Sequence, residues 1–271
     1  MDKAIVEKAW AGLQEHVKAV DKWCLSNDYS RVATFLIGSQ NYGVSTLESD
    51  VDTKSIVIPK DFHSLMYNSC CSFKLMVSCS NNKTGEASVQ DWITFINCLK
   101  KGNPNFIETL YTDFCDIAND EKCVGAVKWL IENRNKIARY DEARTMSALK
   151  AMMNNAFDKY LLSPSGPVRA KKAMHAVRLS YALSWYYDGL DFGRCVGESH
   201  ITPLLLGIRA DYSGMEFKTI IEQEYDYAHK LYYCSDKPPV LWNNKDNQKE
   251  LDKGFDYITE KLYKAQVLEN S

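Results

Sequence analysis

The chain has no run of eighteen apolar residues, no excess of positive charge and no Cys-x-x-Cys pair, and each absence removes a class of function. Without a long apolar run there is no candidate membrane-spanning helix. The start Met1-Asp2-Lys3-Ala4 leads into a mixed, amphipathic stretch instead of the charged-then-apolar order of a signal peptide, so a cytoplasmic protein with no membrane partner is expected. A formal net charge of -2 leaves no global basic footprint. That argues against tight non-specific binding to nucleic acid and leaves room for a local basic groove at most. The nine cysteines, Cys24, Cys70, Cys71, Cys79, Cys98, Cys115, Cys123, Cys195 and Cys234, show no zinc-ligand spacing and read as reduced thiols. What the chain does have is 45% apolar residues over a length of 271, enough to bury a sizeable core in one or two domains.

The most informative segment is Phe35-Leu36-Ile37-Gly38-Ser39-Gln40-Asn41-Tyr42-Gly43, followed by Glu48-Ser49-Asp50-Val51-Asp52. An apolar strand ends abruptly in Gly-Ser. Glycine lets the backbone approach a phosphate, and free amides with the Ser39 hydroxyl supply donors to its oxygens. A second strand then opens with Asp50 and Asp52 at i and i+2, which the two-residue period puts on one face. Two carboxylates on one face repel unless a cation lies between them, and hard oxygen ligands of this kind suit magnesium, with manganese as the substitute. A triphosphate can bridge the turn and the metal. The conjunction points to nucleotidyl transfer.

Around this motif the spacing of Ile5, Ala9, Leu13, Val17, Val20 and Trp23 predicts an amphipathic helix to about residue 25. Strands are expected over 32–37, 51–58 and 73–78, and a short fourth over Glu86–Val89 after the turn-rich Asn81-Asn82-Lys83-Thr84-Gly85. A helix from Asp91 to Lys101 ends at Gly102 and Pro104, with Asp91 as its cap. Beyond Asp113 the strand signals almost disappear, and helices are predicted over 124–137, 142–162, 168–187 and 217–233. On the third of these, Lys171, His175 and Arg178 fall at i, i+4 and i+7 and form one basic stripe. The stripe is either a solvated face or the group that neutralises the triphosphate. Tyr181, Trp185, Tyr186 and Tyr187 read as core, with base stacking as the alternative.

These residues resemble the DNA polymerase beta-like nucleotidyltransferase superfamily, whose signature is Gly-Ser followed by Asp-x-Asp on the next strand. Gly38-Ser39-Gln40-Asn41-Tyr42-Gly43 with Ser49-Asp50-Val51-Asp52-Thr53-Lys54 is similar to the nucleotidyltransferases of phages and bacteria that are grouped with an RNA-repair polymerase beta-like family. The stretch from Phe95 to Gly102-Asn103-Pro104-Asn105 resembles that family's helix ending in Gly-Asn-Pro-Asn. Lys172-Ala173-Met174-His175-Ala176-Val177-Arg178-Leu179 resembles its downstream Lys-x-Met-His-x-x-Arg-Leu helix.

The resemblance implies an α+β fold: a small mixed β-sheet nucleotidyltransferase domain with flanking helices over 1–115, then an all-helical domain over 116–271 that closes over the nucleotide. It also implies a third carboxylate nine residues before Phe95, at Glu86, where the family more often has aspartate; Asp91 is the next choice. Catalytic metal ligands are then Asp50, Asp52 and Glu86, holding two magnesium ions. The nucleotide-binding residues are Gly38, Ser39, Tyr42, His175 and Arg178, with Lys171 and Lys172 both candidates for the lysine; Asn103 and Asn105 either line the site or only end a helix. The partner is a nucleoside triphosphate, and the acceptor, whether an RNA end, a protein or a small molecule, stays open. A catalytically silent nucleotide-binding regulator of the same fold is the alternative.

Overall fold

The apolar stripe of the first helix decides which face of the sheet it covers. In the computed structural model, which describes residues 3–47, 49–60, 72–78, 84–197, 200–213, 215–234 and 244–269, α1 spans Lys3–Ser26. It buries Ala9, Leu13, His16, Val17, Val20 and Cys24, the three- and four-residue recurrence of one helix face. That stripe lies against Leu36, Val51, Val57, Val77, Ala87 and Val89 of the sheet.

Five strands form this sheet among the described residues: β1 (Tyr29–Ile37), β2 (Asp52–Pro59), β3 (Ser72–Ser78), β4 (Thr84–Asp91) and β5 (Cys115–Ile117), in the order β3-β4-β2-β1-β5. β1 and β2 are antiparallel with Ile37 opposite Asp52, and β2 and β4 are parallel with Thr53 opposite Ala87. β3 and β4 form the expected antiparallel pair, while their turn at Asn81–Lys83 lies outside the described residues, as do Glu48, Cys70, Cys71 and Cys79. β5 was not expected from the sequence. Three residues carry too little alternation to signal a strand, and it forms by pairing Phe35 with Cys115 at the free edge of β1.

Strand alternation sends Phe35, Ile56 and Ile58 to the opposite face, where the helices lie. These are α2 (Trp92–Lys100), α3 (Pro104–Ile107), α4 (Glu121–Glu132), α5 (Arg134–Ala138), α6 (Glu142–Leu162), α7 (Pro167–Tyr187), α8 (Phe192–Val196), α9 (Thr202–Ala210), α10 (Lys218–Cys234) and α11 (Asn244–Glu269). The single helix expected over 124–137 is two, because Asn133 breaks it with its side-chain amide donating to the Trp129 carbonyl at 2.9 Å. α6 and α7 pack along most of their length as an antiparallel pair. α8, α9 and α11 go beyond the helices expected from the sequence. In α11, Leu251, Phe255, Ile258 and Leu262 make a thin apolar stripe in an otherwise polar helix. It returns to the sheet-bearing half: Trp92 Nε1 donates to Thr259 Oγ1 at 2.8 Å, and Phe255 lies edge-on to Trp129. One apolar core therefore runs from Phe35 and Ile56 through Phe95 to Met174, Tyr186 and Phe255. Cys98, Cys115, Cys123 and Cys195 are free thiols. Among the described residues no helix is long and apolar enough to cross a membrane.

Candidate active site

The site is built where β1 ends. After the extended Ile37, the chain closes one 3-10 turn over Gly38–Gln40 and no side chain caps its amides. Gly38 has φ +82°, the left-handed region, and a Cβ on it would lie 3.8 Å from Asp52 Oδ2. The positive φ is what calls for glycine here, since a Cβ would meet the carboxylate only at ordinary contact distance. The Ser39 hydroxyl makes a 3.4 Å contact with Gln40 Oε1, and Gln40 Nε2 donates to the Asp50 carbonyl at 2.7 Å, so the turn holds the strand that carries the acids.

Asp52 is half-buried at the first position of β2, and Asp50 is exposed in the chain just before the strand. Glu86 lies on the adjoining parallel strand, and its backbone amide donates to Asp52 Oδ1 at 3.1 Å. Burial, followed by the charges of Asp50 and Glu86, raises the Asp52 carboxyl above its ordinary range, against the Glu86 amide and the Lys171 ammonium. The Glu86 carboxylate itself pairs with Lys74 Nζ at 3.0 Å, on the strand beyond. Among the described residues no three acidic, histidine or cysteine side chains come close enough together to hold a metal ion. By chemistry, two aspartates and a neighbouring glutamate are hard oxygen donors of the kind that suit magnesium.

Positive charge faces the same turn from α7. Lys171 is exposed, and its field reaches Asp52; Lys172 lies instead beside Lys159 of α6. Arg178 is buried, with its guanidinium 3.7 Å over the Tyr42 ring, and its Nε has no hydrogen-bond partner. Tyr42 donates to Glu108 Oε2 at 2.5 Å; it is a buried strut under the turn whose hydroxyl does not reach solvent. His175, between the two cations on the stripe, carries no charge at neutral pH: burial, then Arg178, Lys171, Lys172 and Arg209, push it down to about 3. The basic stripe of the sequence therefore offers two charges, not three.

Arg209, at the end of α9, joins this cluster and had no signal in the sequence. Its guanidinium donates to the Val44 carbonyl and, at 3.1 Å, to Ser49 Oγ, so it ties the loop that carries Asp50 to the helical half. Lys8 of α1 holds the same loop through the carbonyls of Leu47 and Ser49.

The Gly-Asn-Pro-Asn stretch serves this architecture. Asn103 caps α3 by accepting from the Asn105 amide, and the Asn105 carbonyl accepts from Lys54, a buried lysine on the same face of β2 as Asp52. Burial lowers Lys54 to about 8, with Glu108 acting against it. Asp91 is the cap of α2, accepting from the Thr94 amide at 2.8 Å and the Thr94 hydroxyl at 2.6 Å. Tyr186 is fully buried and Tyr181 donates to Glu224, so these rings pack between helices. A cleft of about 730 Å³ opens beside Gln40, Asn41 and Gly43, bounded by Tyr111, Arg134 and Thr202; none of the three carboxylates lines it.

A Gly-Ser turn set against paired aspartates at one end of the central strands of a mixed sheet, with helices behind it, is the arrangement of a polymerase beta-like nucleotidyltransferase. The profile of the RNA repair pathway DNA polymerase beta family matches residues 27–190, more than half of the 271-residue chain, and the protein belongs to that family. A comparison with curated proteins finds no match to the chain.

Proposed function

We propose that the chain transfers a nucleoside monophosphate from a nucleoside triphosphate to an acceptor hydroxyl, with release of pyrophosphate. The observation that carries this reading is the division of charge around one turn. Asp50 and Glu86 lie near enough to raise the Asp52 carboxyl, the charge of Lys171 reaches it from α7, and Arg178 of the same helix stacks on Tyr42 of the turn. An anion that needs both a metal and donors, as a triphosphate does, matches that arrangement.

Asp50 and Asp52, with Glu86 as the third ligand, would hold magnesium, or manganese in its place, which supplies charge neutralisation to the phosphates and a lowered pKa to the acceptor hydroxyl. Ser39 and the turn amides hold the outer phosphates, and Lys171 and Arg178 offset the charge that develops on them. The acceptor oxygen attacks the α-phosphorus in line, the bond from the α-phosphorus to the bridging oxygen breaks, and Glu86 takes the hydroxyl proton. Membership in an RNA repair pathway family directs the first choice of acceptor to an RNA end. A second reading, a nucleotide-binding regulator that performs no transfer, is favoured by the Glu86–Lys74 ion pair at 3.0 Å, which engages the third carboxylate.

Pyrophosphate release from each ribo- and deoxyribonucleoside triphosphate with magnesium, measured with RNA, with DNA, with a cell lysate and with buffer alone, separates the two readings. Transfer predicts release that Asp52→Asn lowers by several orders of magnitude, and label from the α-phosphate entering one acceptor fraction. Nucleotide binding with no release in any fraction would establish the regulator.

A further inference from the structure

On the buried face of α1 one residue does not match its neighbours. Ala9, Leu13, Val17, Val20 and Cys24 are apolar, but position 16 is a histidine with no exposed surface. Its ring lies directly behind the carboxylates, on the face of the sheet opposite to them. Nδ1 shares a 2.8 Å hydrogen bond with the hydroxyl of Thr53, which is itself fully buried. On the other side of the ring is Gly85: a Cβ there would lie 2.8 Å from His16 Nε2 and 3.0 Å from Cε1, and would collide with the Val51 carbonyl. Only a residue without a side chain lets the ring, the Val51 carbonyl and β4 come so close.

Each chain segment that meets this ring carries a candidate acid. Thr53 follows Asp52, Val51 separates Asp50 from Asp52, and Gly85 precedes Glu86. Beyond their parallel ladder, the strands are linked by the Glu86 amide on Asp52 Oδ1, one residue from both Thr53 and Gly85. We propose that His16 is a positioning residue for the three carboxylates: its ring fixes the spacing of the β2 and β4 backbones, and so sets the distance of Glu86 from Asp50 and Asp52. This rests on the carboxylates being metal ligands. A side chain that orients ligands from behind has a large effect because small displacements of a ligand set cost affinity steeply. An aliphatic residue would fill the space and leave the Thr53 hydroxyl without its partner.

The test uses manganese(II) as probe, with binding to the full chain followed by electron paramagnetic resonance without nucleotide, beside kcat, KM and far-UV circular dichroism. The variants are His16→Leu, His16→Asn, whose amide reaches the Nδ1 position, and Thr53→Val, which removes only the hydroxyl at constant shape. His16→Leu and Thr53→Val are expected to weaken manganese binding about ten- to a hundredfold, with a matching fall in kcat and little change in KM. His16→Asn returns both toward the wild-type values. A folded His16→Leu with wild-type manganese affinity overturns the inference and makes His16 a core residue only; if His16→Leu does not fold, Thr53→Val decides by the same readings. Wild-type protein that binds no manganese overturns the metal reading of the acids, and this inference with it.

Discussion

Ionising Asp52 in the folded chain places its charge beside Asp50 and Glu86 in a half-buried position, and the Lys171 ammonium only partly offsets it. The folded carboxyl therefore titrates above its ordinary value of 3.8. A carboxyl with a raised folded pKa favours the fold while it is protonated. As pH rises through 3.8 the unfolded chain loses its proton first, and above the folded value the ionised group destabilises the native state. Asp52→Asn keeps the oxygen that accepts from the Glu86 amide and removes the charge. It should raise the melting temperature at pH 7, by about 2–4 °C for each kcal/mol recovered in a chain of this size. The gain should shrink as pH falls toward 3.8 and should disappear from the wild-type comparison when manganese is added. Calorimetry of both proteins at pH 7 and pH 4, with and without manganese, checks this; a less stable variant at pH 7 would contradict it. A charge that costs stability on its own and is offset by a bound cation is the trade expected of a ligand. Not every residue of the signature plays such a part. Tyr42 supports Arg178 and Glu108 from below the turn, a role that its place in the motif does not distinguish from phosphate contact.

Helix caps show how an acidic side chain near the site can be structural. Asp91 ends β4 and starts α2, and both its oxygens are used by Thr94. Glu86, five residues earlier on the same strand, pairs at the surface with Lys74. The two acids therefore separate by measurement: Asp91→Ala should cost about 1 kcal/mol of stability in urea unfolding and leave kcat within about twofold. Glu86→Gln should leave stability nearly unchanged and lower kcat by more than tenfold. Equal kinetic effects would mean that Asp91 is also in the chemistry. At this scale the sequence was informative where periodicity is strong. The α1 stripe, the Gly-Ser turn, the Asp91 cap and the long α6 and α7 helices all come from local pattern. It was silent on β5, whose three residues become a strand only by finding the edge of β1, and on the break at Asn133, where a side chain competes for the helical carbonyl.

For the whole molecule the missing information is long-range. Arg209 reaches Val44 and Ser49 across more than 150 positions of chain, and His16 reaches Thr53 from a different element, so neither has a spacing signature. Both became visible only once the elements were packed. That packing has a pH consequence, because it buries two neutral imidazoles at opposite ends of the site. Burial lowers His16 to about 4, and burial with the surrounding cations lowers His175 to about 3, from an ordinary 6.5. For a group with a depressed folded pKa, both states are neutral above 6.5 and the fold has its full stability there. As pH falls below 6.5 the unfolded chain takes up protons that the native state refuses, and stability declines until the folded values are reached near 4 and 3. The raised Asp52 carboxyl acts the other way in the lower part of this range, since the native state binds its proton first. Between about pH 6 and 5, where carboxylates contribute least, urea unfolding should show stability falling with proton uptake on unfolding that rises toward about two. His175→Leu and His16→Leu should each remove about one proton from that uptake. An unfolding free energy that stays level from pH 6.5 to pH 5 would mean that both rings accept protons in the native state, and the cationic cluster of Arg178, Lys171 and Arg209 would then have to carry a third charge beside the turn.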